Sequence, residues 1–339
     1  MVKVLAVADP AVEVYKNIIN DYKAEVKFDI VPWENYFDTM MNAFKGNADY
    51  DIVMVAGHLW LREFVEADYL AELNYDFEDI LPIIAKEMMY DGKIYLSPSF
   101  CDGHMIVYNK DVLSKLVDIK EVIDTNTYIE WAQKLADSGI ETPVAMKAHA
   151  SEIFLDALPY LREHGVDVYG PDGACNFTSE QLGKYLTLKK HAHIDTHTYG
   201  NDEIKDAIIS GEAVLATTWS GQLGVIASQC KNANSLGYAT FDKAWNVTWS
   251  FAVCESSENK QQAMDFLAYL RTPKIDKKVG EYCGAPVRKS SYTTGNCPWY
   301  DIQLKMIEEY ATPLPDVADL STKNQQLYDT IYNEFKGAV

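Results

Sequence analysis

Apolar positions along the first hundred residues switch between two periods. Val2 to Ala8 is a nearly continuous apolar run and predicts a strand covered on both faces. Tyr15, Ile18, Ile19 and Tyr22 then recur at helical spacing, and Val26, Phe28 and Ile30 alternate as a strand does. Phe37, Met40, Met41 and Phe44 mark a second helix, Asp51 to Val55 a buried strand, and Leu61, Phe64 and Val65 a third helix. The β-α-β-α-β-α order predicts a mainly parallel sheet flanked by helices.

The pattern restarts with a strand at Met105 to Tyr108. Thr127-x-x-Glu130 reads as a capping box opening a helix that runs to Gly139. Thr142 to Met146 reads as a strand, and Phe154, Leu155, Leu158 and Leu161 as a helix ended by Gly165. Asp167 to Asn176 is rich in turn residues, and Thr178-x-x-Gln181 is a second capping box. Gly211 suits a helix C-terminus, Ala213 to Thr217 a short buried strand, and the next residues a loop presenting Trp219. A third block opens with a strand at Val247 to Val253. Its helix runs through Met264, Phe266, Leu267 and Leu270 and stops before Pro273; helical patterns near 300–310 and 323–335 close the chain. No linker separates the blocks. The chain is therefore expected to pass between two lobes within strands, near 105–108, 248–253 and 296–299, a hinge that permits rigid-body closure.

With 339 residues, the chain is too long for one small core. A net charge of -20 argues against nucleic acid as a partner, because phosphates need Lys and Arg. There is no run of eighteen apolar residues to span a membrane, and Met1 leads directly into a strand pattern. An exported protein would therefore need a signal peptide absent from this chain. The six cysteines, Cys101, Cys175, Cys230, Cys254, Cys283 and Cys297, show no C-x-x-C pair and read as free thiols rather than zinc ligands.

Several segments, in order, resemble the family 1 extracellular solute-binding proteins of ABC importers. Asp49-Tyr50-Asp51-Ile52-Val53-Met54 is followed by His58-Leu59-Trp60, Phe64 and Tyr69-Leu70-Ala71-Glu72-Leu73. Asp91-Gly92-Lys93-Ile94-Tyr95 comes next, with Pro98, Asp102 and Tyr108-Asn109-Lys110-Asp111. Gly211 to Trp219, Asn246 to Cys254 and Gly284-Ala285-Pro286-Val287-Arg288 complete the series. The chain departs from the family pattern in lacking a lipobox and in carrying Ala244-Trp245 where a Gly-Gly is common. The resemblance implies a type II periplasmic-binding-protein-like α/β fold, each lobe a mainly parallel sheet flanked by helices, with the ligand cleft at the hinge. Lobe 1 is expected to hold 1–107 and 252–297, and lobe 2 108–251 and 298–339. It further implies a non-enzymatic, cofactor-free, monomeric protein outside the cytoplasm that delivers a mono- or oligosaccharide to a permease.

Ligand contacts are expected just past strand ends, where α/β sheets place them. Trp219 and Trp60 follow strands and offer flat faces for a sugar ring, and Asp102 offers an acceptor for ligand hydroxyls. Trp245 and Trp249 flank a crossing, and Asp9, Glu13, Trp33, His58 and Arg288 occupy loop positions. Two other readings stand beside this one. The abundant acids would suit a polyamine or other cation in the same fold. His191-Ala192-His193-Ile194-Asp195-Thr196-His197 resembles a metallo-hydrolase motif, but its last histidine comes one residue late for convergence on one ion.

Overall fold

The computed structural model describes all residues except 47–48, 164–167, 170–175, 316 and 339. The chain forms two compact units, Met1–Asp102 with Val247–Tyr300, and Gly103–Asn246 with Asp301–Val339. It therefore passes from one to the other at 102–103, 246–247 and 300–301. The first two passages fall within the strands Ser97–Asn109 and Asn246–Val253, and the third at the start of the helix Tyr300–Lys305.

In the first unit, strand Val2–Val7 lies between Val26–Val31 and Ile52–Ala56 and runs parallel to both. Val4 pairs with Phe28 on one side and Ile52 on the other. The returning strand Asn246–Val253 adds antiparallel to Ile52–Ala56, with Trp249 opposite Ala56. Helices Pro10–Ile18 and Trp33–Phe44 are the crossovers that these parallel strands require, and Gly57–Glu66 follows the third strand. Pro10–Ile18 also packs on Pro273–Cys283. Two polar side chains sealed in this core, Asp51 and Tyr36, are paired. The Asp51 carboxylate accepts from the Lys3 amide at 2.9 Å, Ser257 Oγ at 2.6 Å and Asn259 Nδ2 at 3.1 Å. The Tyr36 hydroxyl donates to the Met54 carbonyl at 2.6 Å and accepts from the Met54 amide at 2.9 Å.

The second unit is mixed rather than mainly parallel. The strand Ser97–Asn109 is flanked antiparallel by Leu236–Phe241 and Leu215–Trp219. The two-residue strands Val122–Ile123 and Val144–Ala145 join these parallel at the outer sides. The central strand enters from the other unit instead of from a helical crossover, so the parallel rule does not bind it. Helix Leu320–Gly337 closes this unit against Ile153–Leu161.

Local signals held unevenly. Gly211 takes φ 80° and ends the helix Asn201–Ser210, and Thr178 with Gln181 forms the expected box at Ser179–Leu186. The Thr127 box does not cap. Asp124 does so instead, accepting the Thr127 amide at 2.7 Å, and Thr127 lies inside the helix Thr125–Asp137. Trp219 is not in a loop: the ladder with His104–Tyr108 continues through it, and the helix Ser220–Gln229 starts at the next residue. Cys101, Cys230, Cys254, Cys283 and Cys297 are free, whereas Cys175 and the helix end expected at Gly165 lie outside the described residues. Among the described residues no helix is long and apolar enough to cross a membrane.

Candidate functional site

The three parallel strands of the first unit end at Val7, Val31 and Ala56, and each is followed two residues later by a candidate: Asp9, Trp33 and His58. They share the carboxyl edge of the sheet, where α/β folds place ligands. Trp60 and Trp249 join them. The Trp33 and Trp60 rings are stacked, with centroids 5.8 Å apart and planes 17° apart. Trp249 meets Trp33 edge-on at 5.8 Å and Trp60 at 6.3 Å. Trp60 is buried, also touching Phe37 and Phe64, whereas Trp33 and Trp249 are half-buried. Such a pair of supported indoles suits the C–H face of a sugar or polyol.

Acid groups border this edge. Asp9 caps the helix Pro10–Ile18, accepting the Ala11 amide at 2.8 Å. Burial, and then the charge of Asp102, push its pKa well above the usual carboxylate range. Asp102 is itself buried. Burial lowers the His58 imidazole to about 3, so this ring is neutral near pH 7.

The second unit has its own aromatic group. Trp219 is buried, with Trp245 edge-on at 5.2 Å and the His104 ring at 5.4 Å. Lys147, also buried, holds its ammonium 4.5 Å from the indole centroid, a cation–π contact that occupies one face of the ring. The Glu152 carboxyl lies near Trp219, and burial raises its pKa despite the nearby Lys147 charge. Beneath them Asp156 accepts from Thr217 Oγ1, from the Tyr185 hydroxyl at 3.2 Å, and faces His104 Nε2 at 3.3 Å. Burial lowers the His104 pKa, so the neutral ring is the one held there.

The model of the bacterial extracellular solute-binding protein family matches residues 9–277. The chain belongs to that family. Among solved structures, this solute-binding protein is similar to maltose-bound MalE3 of T. maritima, at 19% identity and TM-score 0.86, over 100% of this chain and 96% of that one. It is likewise similar to an ABC transporter solute-binding protein of Agrobacterium vitis S4 with bound D-mannitol, at 17% identity and TM-score 0.84, over 100% and 94%. A more distant likeness is the spermidine/putrescine-binding PotD of Streptococcus pneumoniae, at 16% identity and TM-score 0.73, over 100% and 99%. The fold is thus that of the type II periplasmic binding proteins, a mixed sheet with flanking helices.

Two sequence candidates of the solute-binding protein are engaged elsewhere. Glu13 is exposed and paired with Lys16 at 2.9 Å. The Arg288 guanidinium donates to the Arg271 carbonyl at 2.9 and 2.7 Å, while its amide is held by Asp276 at 3.2 Å. Lys147, Glu152, His104 and Asp156 are not among the sequence candidates. Lys147 lies two residues past strand Val144–Ala145, so the strand-end rule that found Trp33 would have found it too. The histidine segment does not assemble. His191 is buried, and His193 stacks on Tyr199 at 5.8 Å and accepts the Asp195 amide at 3.2 Å. Among the described residues no three His, Cys, Asp or Glu side chains converge as a metal-ligand set.

Proposed function

We propose that this solute-binding protein captures a carbohydrate or polyol outside the cytoplasm and hands it to an ABC permease, as a monomer and without catalysis. The observation that carries this reading is the pair of half-buried indoles, Trp33 and Trp249, braced by buried Trp60 at the carboxyl edge of the first unit's sheet. Family membership and the sugar- and polyol-bound proteins of the same fold support it. In this reading the indoles cover apolar ring faces, Asp9 and Asp102 accept ligand hydroxyls, and Trp219 with Glu152 and Lys147 supplies a second group of contacts.

A cationic solute is the second reading, favoured by the mutual repulsion of Asp9 and Asp102, which a bound ammonium would relieve. A thermal-shift screen across mono- and oligosaccharides, polyols and polyamines separates the two. Stabilisation by a sugar or polyol is the expected result. Stabilisation by spermidine or putrescine alone would replace the carbohydrate reading with the cationic one.

A further inference from the structure

Ser220 is fully buried and stands at the first turn of the helix that begins directly after Trp219. Its hydroxyl accepts the Gly103 amide at 2.8 Å and the Gln303 side-chain amide at 2.8 Å. Gly103 is the first residue of the second unit after the first passage of the chain, and Gln303 the third residue after the last passage. A methyl group at Gly103 would meet the end of the Met306 side chain, which lies against this segment. The remaining passage is tied in beside them. The Trp245 carbonyl accepts the His104 amide at 3.2 Å, and the Ala244 carbonyl accepts the Thr312 amide at 3.1 Å.

The first unit secures its own ends of these segments separately. The Cys101 amide donates to the Ala285 carbonyl at 3.0 Å, and Trp299 Nε1 donates to the Gly284 carbonyl at 3.0 Å. The anchors on the first segment are thus Cys101 on one side and Gly103 on the other.

We propose that Ser220 is a positioning residue whose hydroxyl binds the second unit's ends of the first and third passages to the helix that follows Trp219, so that they move as one body. Any turning of one unit against the other is then confined to the few residues between this hub and the Gly284–Ala285 turn. The inference does not depend on the class of solute, and its test needs none.

The test uses the full chain without solute. Nitroxide side chains are introduced through a ketone-bearing residue at exposed Glu34 and exposed Glu180, one on each unit, and their distance distribution is measured by pulsed dipolar spectroscopy. Amide exchange at Gly103 is followed in parallel. S220A should broaden the distribution about twofold and speed Gly103 exchange about tenfold, the scale of one lost hydrogen bond. S220T, which keeps the hydroxyl, should return both to wild-type values. A folded S220A with faster Gly103 exchange but an unchanged distribution overturns the proposal, because the bond would then be local packing only. An S220T distribution as broad as that of S220A overturns it as well. Should S220A fail to fold, Q303A keeps the Gly103 bond and removes one spoke; it is expected to broaden the distribution, and an unchanged width would overturn the proposal.

Discussion

The indole of Trp33 lies on that of Trp60 with the planes 17° apart, yet Trp60 is 4% exposed while Trp33 is only half-buried. On the proposed function, these two tryptophans in contact have different tasks. Trp33→Ala and Trp249→Ala should each weaken binding of the sugar or polyol found in the thermal screen by about 2–4 kcal/mol, as truncation of aromatic anchors does. Trp60→Ala should cost about 3–5 kcal/mol of folding stability, because it empties a packed site. Calorimetric titration beside denaturant unfolding distinguishes the two effects. Full affinity in both Trp33→Ala and Trp249→Ala would remove the aromatic platform from the functional reading.

Trp219 is tested separately, since Lys147 covers one of its faces. Trp219→Ala should weaken binding by about 2–4 kcal/mol. Trp131 is the control: it is buried in the second unit, edge-on to Tyr108 at 5.7 Å. Trp131→Phe should leave affinity nearly unchanged. Wild-type affinity in Trp219→Ala would confine solute recognition to the first unit's tryptophans.

His58 gives the acid limb of stability a definite sign. Burial places its folded pKa at about 3, below the unfolded value of about 6.5. The neutral ring is therefore the stabilising form. Its contribution is complete above about pH 6.5 and is lost as the pH falls toward the folded value, by up to about 1.4 kcal/mol per pH unit. His58→Gln should flatten that part of the profile. An NMR titration showing the His58 ring protonating near pH 6.5 in the native protein would contradict this.

Asp51 joins strand Val2–Val7 to the loop bearing Ser257 and Asn259. Asp51→Ala strands those donors in a buried setting and should cost about 2–4 kcal/mol of stability without altering solute affinity in the protein that remains folded. Chemical denaturation with a parallel binding assay checks both halves of the statement.

The non-catalytic reading predicts no turnover of glycosides or esters above blank, with or without added zinc. The dispersed roles of His191 and His193 lead to that expectation. Zinc-dependent turnover that His193→Ala abolishes would instead establish an enzyme.

Much of the first unit was legible because its signals are local. The apolar runs at Val2 and Ile52 and the alternation from Val26 marked three strands, and the residues two places beyond each strand are candidates. The second unit was less legible. Thr142 to Met146 was legible as a strand, but Val122–Ile123 is a two-residue strand, too short to carry a period, and the antiparallel pairing around Ser97–Asn109 leaves no mark in composition. Asp124 caps alone through its carboxylate, with Thr127 at the third helical position, so the helix start lacks the box pattern that Thr127 and Glu130 show three residues later.

The sequence by itself determined the family, the α/β class and the edge on which Asp9, Trp33 and His58 stand, since periodicity, turn residues and ordered motifs act over a few residues. Only the tertiary structure decided that Trp60 braces Trp33 and Trp249, that Lys147 stands over Trp219, and that Ser220 joins Gly103 to Gln303. Those partners lie between 27 and 189 residues apart in the chain or converge from different strands. Burial of a ring, or a hydroxyl shared by two distant segments, depends on what the folded chain brings against it, and no local pattern encodes that.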